Sequence, residues 1–126
     1  MAGECILVVD DNEQNIKLIS FLLLAAGFKV HSAGNAEEAL EVLTTLSPQL
    51  LLLDLQMPGM SGIELAQQLK AEPGTRDIPI VLLTASAMKG EEQRARDAGC
   101  DGYISKPIDT RKFAELIMHY LHPAAL

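Results

Sequence analysis

The chain has 126 residues, 48% of them hydrophobic and 21% charged, and a formal net charge of −7. This length suits a single domain over residues 1–126, and the composition excludes global disorder. An acidic surface repels phosphate backbones, so we expect no direct nucleic-acid binding, and no apolar stretch approaches the roughly 20 residues of a membrane span, so we expect no membrane insertion.

Five short apolar runs alternate with segments of helical spacing. The runs lie at Cys5–Val9, 29–32, 50–53, 80–83 and 103–104. The first, third and fourth are continuously apolar, as is typical of strands covered on both faces of a parallel sheet. Asn35 with Glu38 and Ser61 with Glu64 predict helix starts, and further helices are predicted over about 89–98 and 109–121. This βαβαβαβαβα order predicts an α/β fold, a doubly wound five-stranded parallel sheet with helices on both faces.

Polar side chains follow four of the predicted strands. Asp10 and Asp11 follow the first strand, Asp54 the third, Thr84 the fourth and Lys106 the fifth. Ligands of such sheets bind at the carboxyl ends of the strands, so we expect these groups to share one edge. Taken singly, each is equally typical of a turn, a helix cap or a solvated loop.

Clustered carboxylates predict a cation. At about 5 Å and an effective dielectric constant of about 20, each carboxylate pair costs roughly 3 kcal/mol. Oxygen ligands favour Mg²⁺, Lys106 suits phosphate oxygens, and Asp54 is a candidate nucleophile toward phosphorus. With a phosphoryl group on Asp54 the site would hold about −4, against about +3 from Mg²⁺ and Lys106, so we expect the ion to be required.

Rival sites on similar sheets fit less well. The loop after the first strand carries acids in place of the glycines of a dinucleotide site, and no phosphate-binding Walker loop is present. A phosphatase of the haloacid dehalogenase type would place a second Asp two residues after its nucleophile, where this chain has Gln56.

At these residues the sequence resembles the receiver domain of two-component response regulators. The matching parts are Asp10-Asp11, residues 54–62 (DLQMPGMSG), residues 83–85 (LTA) and residues 103–107 (YISKP), and the resemblance covers about 6–121. It implies a flavodoxin-like, CheY-like fold with strand order 2-1-3-4-5. Residues 88–90 and 99–107 are similar both to single-domain regulators of the bacterial cell-cycle type and to receivers of hybrid kinases.

The resemblance implies a role for each site residue. Asp54 matches the phosphoacceptor and also belongs to the metal site, with Asp11 as a direct Mg²⁺ ligand and Asp10 as its acidic neighbour. The main-chain carbonyl of Gln56 matches a further metal ligand.

The resemblance also implies a switch. Thr84 and Lys106 match the pair that binds the phosphoryl group. Tyr103 matches an aromatic residue that turns inward with Thr84. The peptide bond before Pro107 is usually cis in the family. We expect the loop after Thr84, the polar helix over 89–98 and Tyr103 to move, and that helix to be solvated at rest.

The implied partners are a histidine kinase or phosphotransfer protein and a downstream protein target, and the expected location is cytoplasmic. Alternatives are a receiver excised from a hybrid histidine kinase and a pseudo-receiver that works without phosphorylation. We do not expect an enzyme acting on other substrates. Self-dephosphorylation should be weak, because neither Gln56 nor Ser86 is a carboxylate that would orient water.

The first helix has more apolar residues than one face needs. On a helical wheel Leu18, Ile19, Leu22, Leu23 and Ala26 fall within about 140° and are predicted to face the sheet. Phe21 then lies outside that arc and Ile16 at its margin. They are either scattered surface residues or a docking patch for the helix bundle of a kinase or phosphotransfer protein.

Overall fold

Five parallel strands form the centre of the molecule, and helices connect them. The computed structural model describes residues 3–55, 57, 59–84, 90–106 and 108–121. The strands are β1 (Cys5–Val9), β2 (Lys29–Ala33), β3 (Leu50–Asp54), β4 (Ile80–Thr84) and β5 (Gly102–Ser105), and the helices are α1 (Glu13–Ala25), α2 (Ala36–Val42), α3 (Gly62–Ala71), α4 (Glu91–Asp97) and α5 (Phe113–Leu121). The sheet order is β2-β1-β3-β4-β5, so the expected fold and strand order are confirmed.

The central strands are covered on both faces, as their continuous apolar runs predicted. Their side chains alternate between two core clusters. One cluster packs the sheet against α2, α3 and α4 through residues such as Leu51, Ile63 and Ala95. The other packs it against α1 and α5 through residues such as Leu52 and Phe113.

Side-chain caps fix three helix starts. Asn12 Oδ1 accepts hydrogen bonds from the backbone of Gln14 and Asn15 before α1, and Asn35 Oδ1 accepts one from Glu38 before α2. Ser61 and Glu64 form a reciprocal capping box at α3. The two capping signals identified in the sequence are therefore confirmed, and the cap of α1 is Asn12.

Several predicted boundaries differ from the structure. Asp54 and Thr84 are the last residues of β3 and β4, because each still pairs in register with the neighbouring strand. The last helix begins at Phe113, later than predicted, because the Asp109 side chain accepts from the Arg111 backbone and forms a turn first. Helix α4 begins at Glu91 and ends at Asp97, with Ala98 as its C-cap.

The buried face of α1 also differs from the predicted arc. Ile19 and Leu23 are fully buried, and Ile16 packs partly buried against the same core cluster. Leu18 is 41% exposed, so its predicted place against the sheet was wrong. The buried arc is centred between Ile19 and Leu23, which places Leu18 beyond its edge. The C-cap residue Ala26, also predicted to face the sheet, is exposed as well.

Within the described ranges, no helix combines the length and the apolar character that a bilayer span requires.

Candidate functional site

Four neighbouring strands deliver the predicted site residues to one edge of the sheet. Asp10 follows β1, Asp54 ends β3, Thr84 ends β4 and Lys106 follows β5. Backbone hydrogen bonds continue the sheet to these ends, from Asp10 N to the Ala33 carbonyl (3.1 Å) and from Lys106 N to the Thr84 carbonyl (2.6 Å). The four residues are therefore held by the sheet itself.

A cluster of three carboxylates is the central feature of this edge. Asp10, Asp11 and Asp54 each place one oxygen so that the three atoms lie within 4.8 Å of one another. Asp10 and Asp54 are buried and Asp11 is exposed. The cluster thus has two buried members and one that opens to solvent.

Lys106 bridges the two buried carboxylates. Its Nζ lies 3.5 Å from Asp10 Oδ2 and 3.6 Å from Asp54 Oδ1, and its side chain is only 17% exposed. Among the described residues, the cluster of three carboxylates has one ammonium beside it, and this excess of acidic groups attracts a further cation.

The donor set fits Mg²⁺. Its ligands are all carboxylate oxygens, which a hard divalent ion prefers. Asp10 Oδ2 is buried and, within the part of the chain that the structure describes, accepts no hydrogen bond. Lys106 Nζ lies 3.5 Å from this oxygen but is shared with Asp54, so a further cation would stabilise the buried carboxylate more fully.

Asp10 also shapes the loop that carries Asp11. Its other oxygen, Oδ1, accepts a hydrogen bond of 2.9 Å from Asn12 N. Asn12 in turn caps α1. Asp10 therefore forms a turn, as such residues do in ordinary loops, and its Oδ2 remains beside Lys106.

The hydroxyls of Thr84 and Tyr103 both donate to Glu91, a residue of the helix that was expected to be solvated. Glu91, the first residue of α4, is half-buried, and its Oε1 accepts hydrogen bonds from Thr84 Oγ1 (3.3 Å) and Tyr103 OH (2.9 Å). Burial and this carboxylate raise the pKa of the Tyr103 phenol, and the Thr84 hydroxyl offsets part of the rise. Only the tertiary fold reveals this contact, because Glu91 alone is an ordinary polar helix residue.

Gly62 is a second site residue without an assigned role in the sequence. A Cβ added there would lie 2.5 Å from the Asp54 carbonyl oxygen and 3.1 Å from Leu55 Cα. Gly62 N also donates to the Leu55 carbonyl at 3.0 Å. The start of α3 therefore rests directly on the backbone that positions Asp54, and only glycine permits so close an approach.

The two predicted docking residues of α1 lie on different sides of the helix. Phe21 is 70% exposed, whereas Ile16 is half-buried and packs against the core. Phe21 instead shares the outward face with Leu18 and Leu24, at a spacing of three residues. Two further predictions, the Gln56 carbonyl ligand and the cis bond before Pro107, lie outside the described residues, as does Ser86.

Comparison with known proteins identifies the family. Residues 6–118 match the response regulator receiver domain. The chain belongs to this family. It is 43% identical over 119 residues to the polar-differentiation response regulator DivK of Brucella anthropi, an alignment that covers 94% of this chain and 97% of that protein.

Solved structures agree with the receiver fold. A putative response regulator from Chloroflexus aurantiacus has a TM-score of 0.90 at 28% identity, covering 94% of this chain and 98% of that one. The receiver domain of a sensor histidine kinase from Pseudomonas aeruginosa, which has a magnesium ion coordinated in its active site cleft, has a TM-score of 0.86 at 26% identity, covering 95% and 98%. The chain is thus a receiver domain of two-component signalling.

Proposed function

We propose that Asp54 of this receiver domain accepts a phosphoryl group, from a histidine kinase, a phosphotransfer protein or a small phosphodonor, in a reaction that requires Mg²⁺. The observation that carries the proposal is the meeting of Asp10, Asp11 and Asp54 within 4.8 Å of one another, with Lys106 bridging Asp10 and Asp54. A nucleophile, a cation site and a fixed positive charge are the parts that such a transfer needs.

The transfer is a substitution at phosphorus. A carboxylate oxygen of Asp54 forms the new P–O bond while the P–N bond to the donor's imidazole breaks, and the imidazole leaves with the electron pair and takes up a proton. Lys106, already beside Asp54, would donate to a phosphoryl oxygen. Asp10 and Asp11, with the Gln56 carbonyl that the family resemblance implies, would hold Mg²⁺. When bound, the ion would neutralise charge on the transferring group.

Phosphorylation would act as a conformational switch. The Thr84 hydroxyl would turn to a phosphoryl oxygen and Tyr103 would follow it inward, which would change the surface offered to a downstream protein target. The exposed Phe21 on α1 is the proposed contact for the kinase or phosphotransfer protein. We place these events in the cytoplasm, and we propose that the protein turns over no separate substrate.

Intact mass spectrometry after incubation with acetyl phosphate and Mg²⁺ tests this function. We expect a gain of one phosphoryl group that disappears without Mg²⁺ and in Asp54→Asn. Glu64→Gln, a matched loss of one carboxylate at the start of α3, should still be phosphorylated. Absence of the gain with every donor would refute the proposal and favour a pseudo-receiver. Turnover of a generic phosphoester would point to a hydrolase.

A further inference from the structure

Glu91 joins the two hydroxyls that a phosphorylated state would have to move. Thr84 Oγ1 and Tyr103 OH both donate to the same oxygen, Glu91 Oε1, at 3.3 and 2.9 Å. Thr84 is fully buried, and Tyr103 and Glu91 are half-buried. The two bonds join the end of β4 and strand β5 to the start of α4. Partial burial strengthens hydrogen bonds to a charged acceptor relative to solvent.

These hydrogen bonds compete with the proposed phosphorylated state. A hydroxyl carries one proton, so Thr84 cannot donate to Glu91 and to a phosphoryl oxygen at the same time. The hydrogen bond from Thr84 to Glu91 therefore has to break before Thr84 can donate to a phosphoryl group.

Within the described ranges, helix α4 buries few side chains. It spans only Glu91–Asp97, and its buried side chain is Ala95, followed by Ala98 at the C-cap. Two methyl groups bury little apolar area, so they contribute little packing energy. Gly90, which precedes the helix with φ of 96°, provides no side-chain cap. Among the described residues, the hydrogen bonds to Glu91 therefore help to hold the start of α4 against the sheet.

We propose that Glu91 is a positioning residue that stabilises the unphosphorylated state by accepting the Thr84 and Tyr103 hydroxyls, and so slows phosphoryl acceptance at Asp54. The inference rests on the proposed phosphoacceptor function of the same site. Glu91 itself touches no reacting atom; it acts through Thr84 and Tyr103.

The first measurement tests the contact in the unphosphorylated protein. The chain has two tyrosines and no tryptophan, so tyrosinate absorbance in a Tyr120→Phe background reports Tyr103 alone. Glu91→Ala should lower the pKa of Tyr103 toward its ordinary value of about 10. The matched control is Glu92→Ala, which removes the same charge one residue on, from a carboxylate that pairs with Arg96. It should change the pKa much less.

The second measurement tests the effect on the reaction. With acetyl phosphate and Mg²⁺, Glu91→Ala should be phosphorylated about fivefold or more faster than wild type, while Glu92→Ala stays near the wild-type rate. Glu91→Gln keeps an acceptor oxygen without the charge and should fall between them, which also covers the case of a poorly folded alanine variant.

The outcomes separate the inference from the function it rests on. An unchanged Tyr103 pKa, or a lowered pKa with an unchanged phosphorylation rate in both Glu91 variants, would overturn the role of Glu91 while leaving Asp54 as the acceptor. If the wild-type protein gains no phosphoryl group at all, the proposed function and this inference both fall, and the tyrosine titration still reports whether the contact exists.

Discussion

Replacing Gly62 with alanine should damage the site by steric pressure on its backbone. The added Cβ would lie 2.5 Å from the Asp54 carbonyl oxygen and 3.1 Å from Leu55 Cα. Both neighbours are main-chain atoms, so no side-chain rotation relieves the overlap. The start of α3 would have to move away from β3 by roughly 1 Å to reach an ordinary contact distance.

The expected cost follows from two opposing effects. Overpacking of this kind costs about 1–3 kcal/mol, and the shift would also weaken the 3.0 Å hydrogen bond from Gly62 N to the Leu55 carbonyl. Alanine regains at most about 1 kcal/mol through its higher helix propensity. We therefore expect Gly62→Ala to lower the free energy of unfolding by about 1–2 kcal/mol and to slow phosphoryl acceptance in the molecules that remain folded.

Urea unfolding and the acetyl phosphate reaction measure the two effects. The matched control is Gly74→Ala, because a Cβ at Gly74 would meet no heavy atom within 4 Å. This control should be neutral or stabilising by up to about 1 kcal/mol. If the two variants unfold alike and Gly62→Ala is phosphorylated at the wild-type rate, the steric reasoning is refuted.

Three further changes test other parts of the structure. Asp10→Asn should weaken Mg²⁺ binding about tenfold or more, as measured by calorimetry. The control Asp97→Asn replaces an exposed carboxylate and should leave the affinity unchanged. Equal affinities in the two variants would show that Asp10 is not part of the metal site. Phe21→Glu should slow phosphoryl transfer from the cognate kinase about tenfold, with the free energy of unfolding unchanged within about 0.5 kcal/mol. The control Leu116→Glu, on α5, should accept the phosphoryl group at the normal rate. Similar transfer rates in both variants would exclude docking at Phe21. Burial raises the pKa of the Cys100 thiol to about 11. In a Cys5→Ala background, the alkylation rate of Cys100 should therefore increase about tenfold between pH 9 and pH 10. A rate that no longer increases over this range would contradict a buried thiol.

The sequence predicted the fold because its local signals agree with one another. Apolar runs of strand length, capping pairs at Asn35 and Ser61, and polar residues at the strand ends all indicate the same alternating order. Parallel strands place their carboxyl ends together, so the meeting of Asp10, Asp54 and Lys106 followed from the topology.

Other features depend on distances that no local pattern encodes. Asp54 and Thr84 belong to the strands because each still pairs in register with a residue of the neighbouring strand. The buried arc of α1 is set by how the helix lies on the sheet, so a helical wheel placed Leu18 on the wrong side. Glu91 became a site residue only through the approach of α4 to β4 and β5, and Gly62 only through the approach of α3 to β3.

The division of the core determines which surfaces two binding partners could use at the same time. The sheet separates α1 and α5 from α2, α3 and α4, so Phe21 and Glu91 belong to helices on opposite faces. A protein that approaches across α1 leaves α4 uncovered. If the phosphodonor protein docks at Phe21, as we propose, a second protein could bind at α4 on the opposite face before the donor has dissociated.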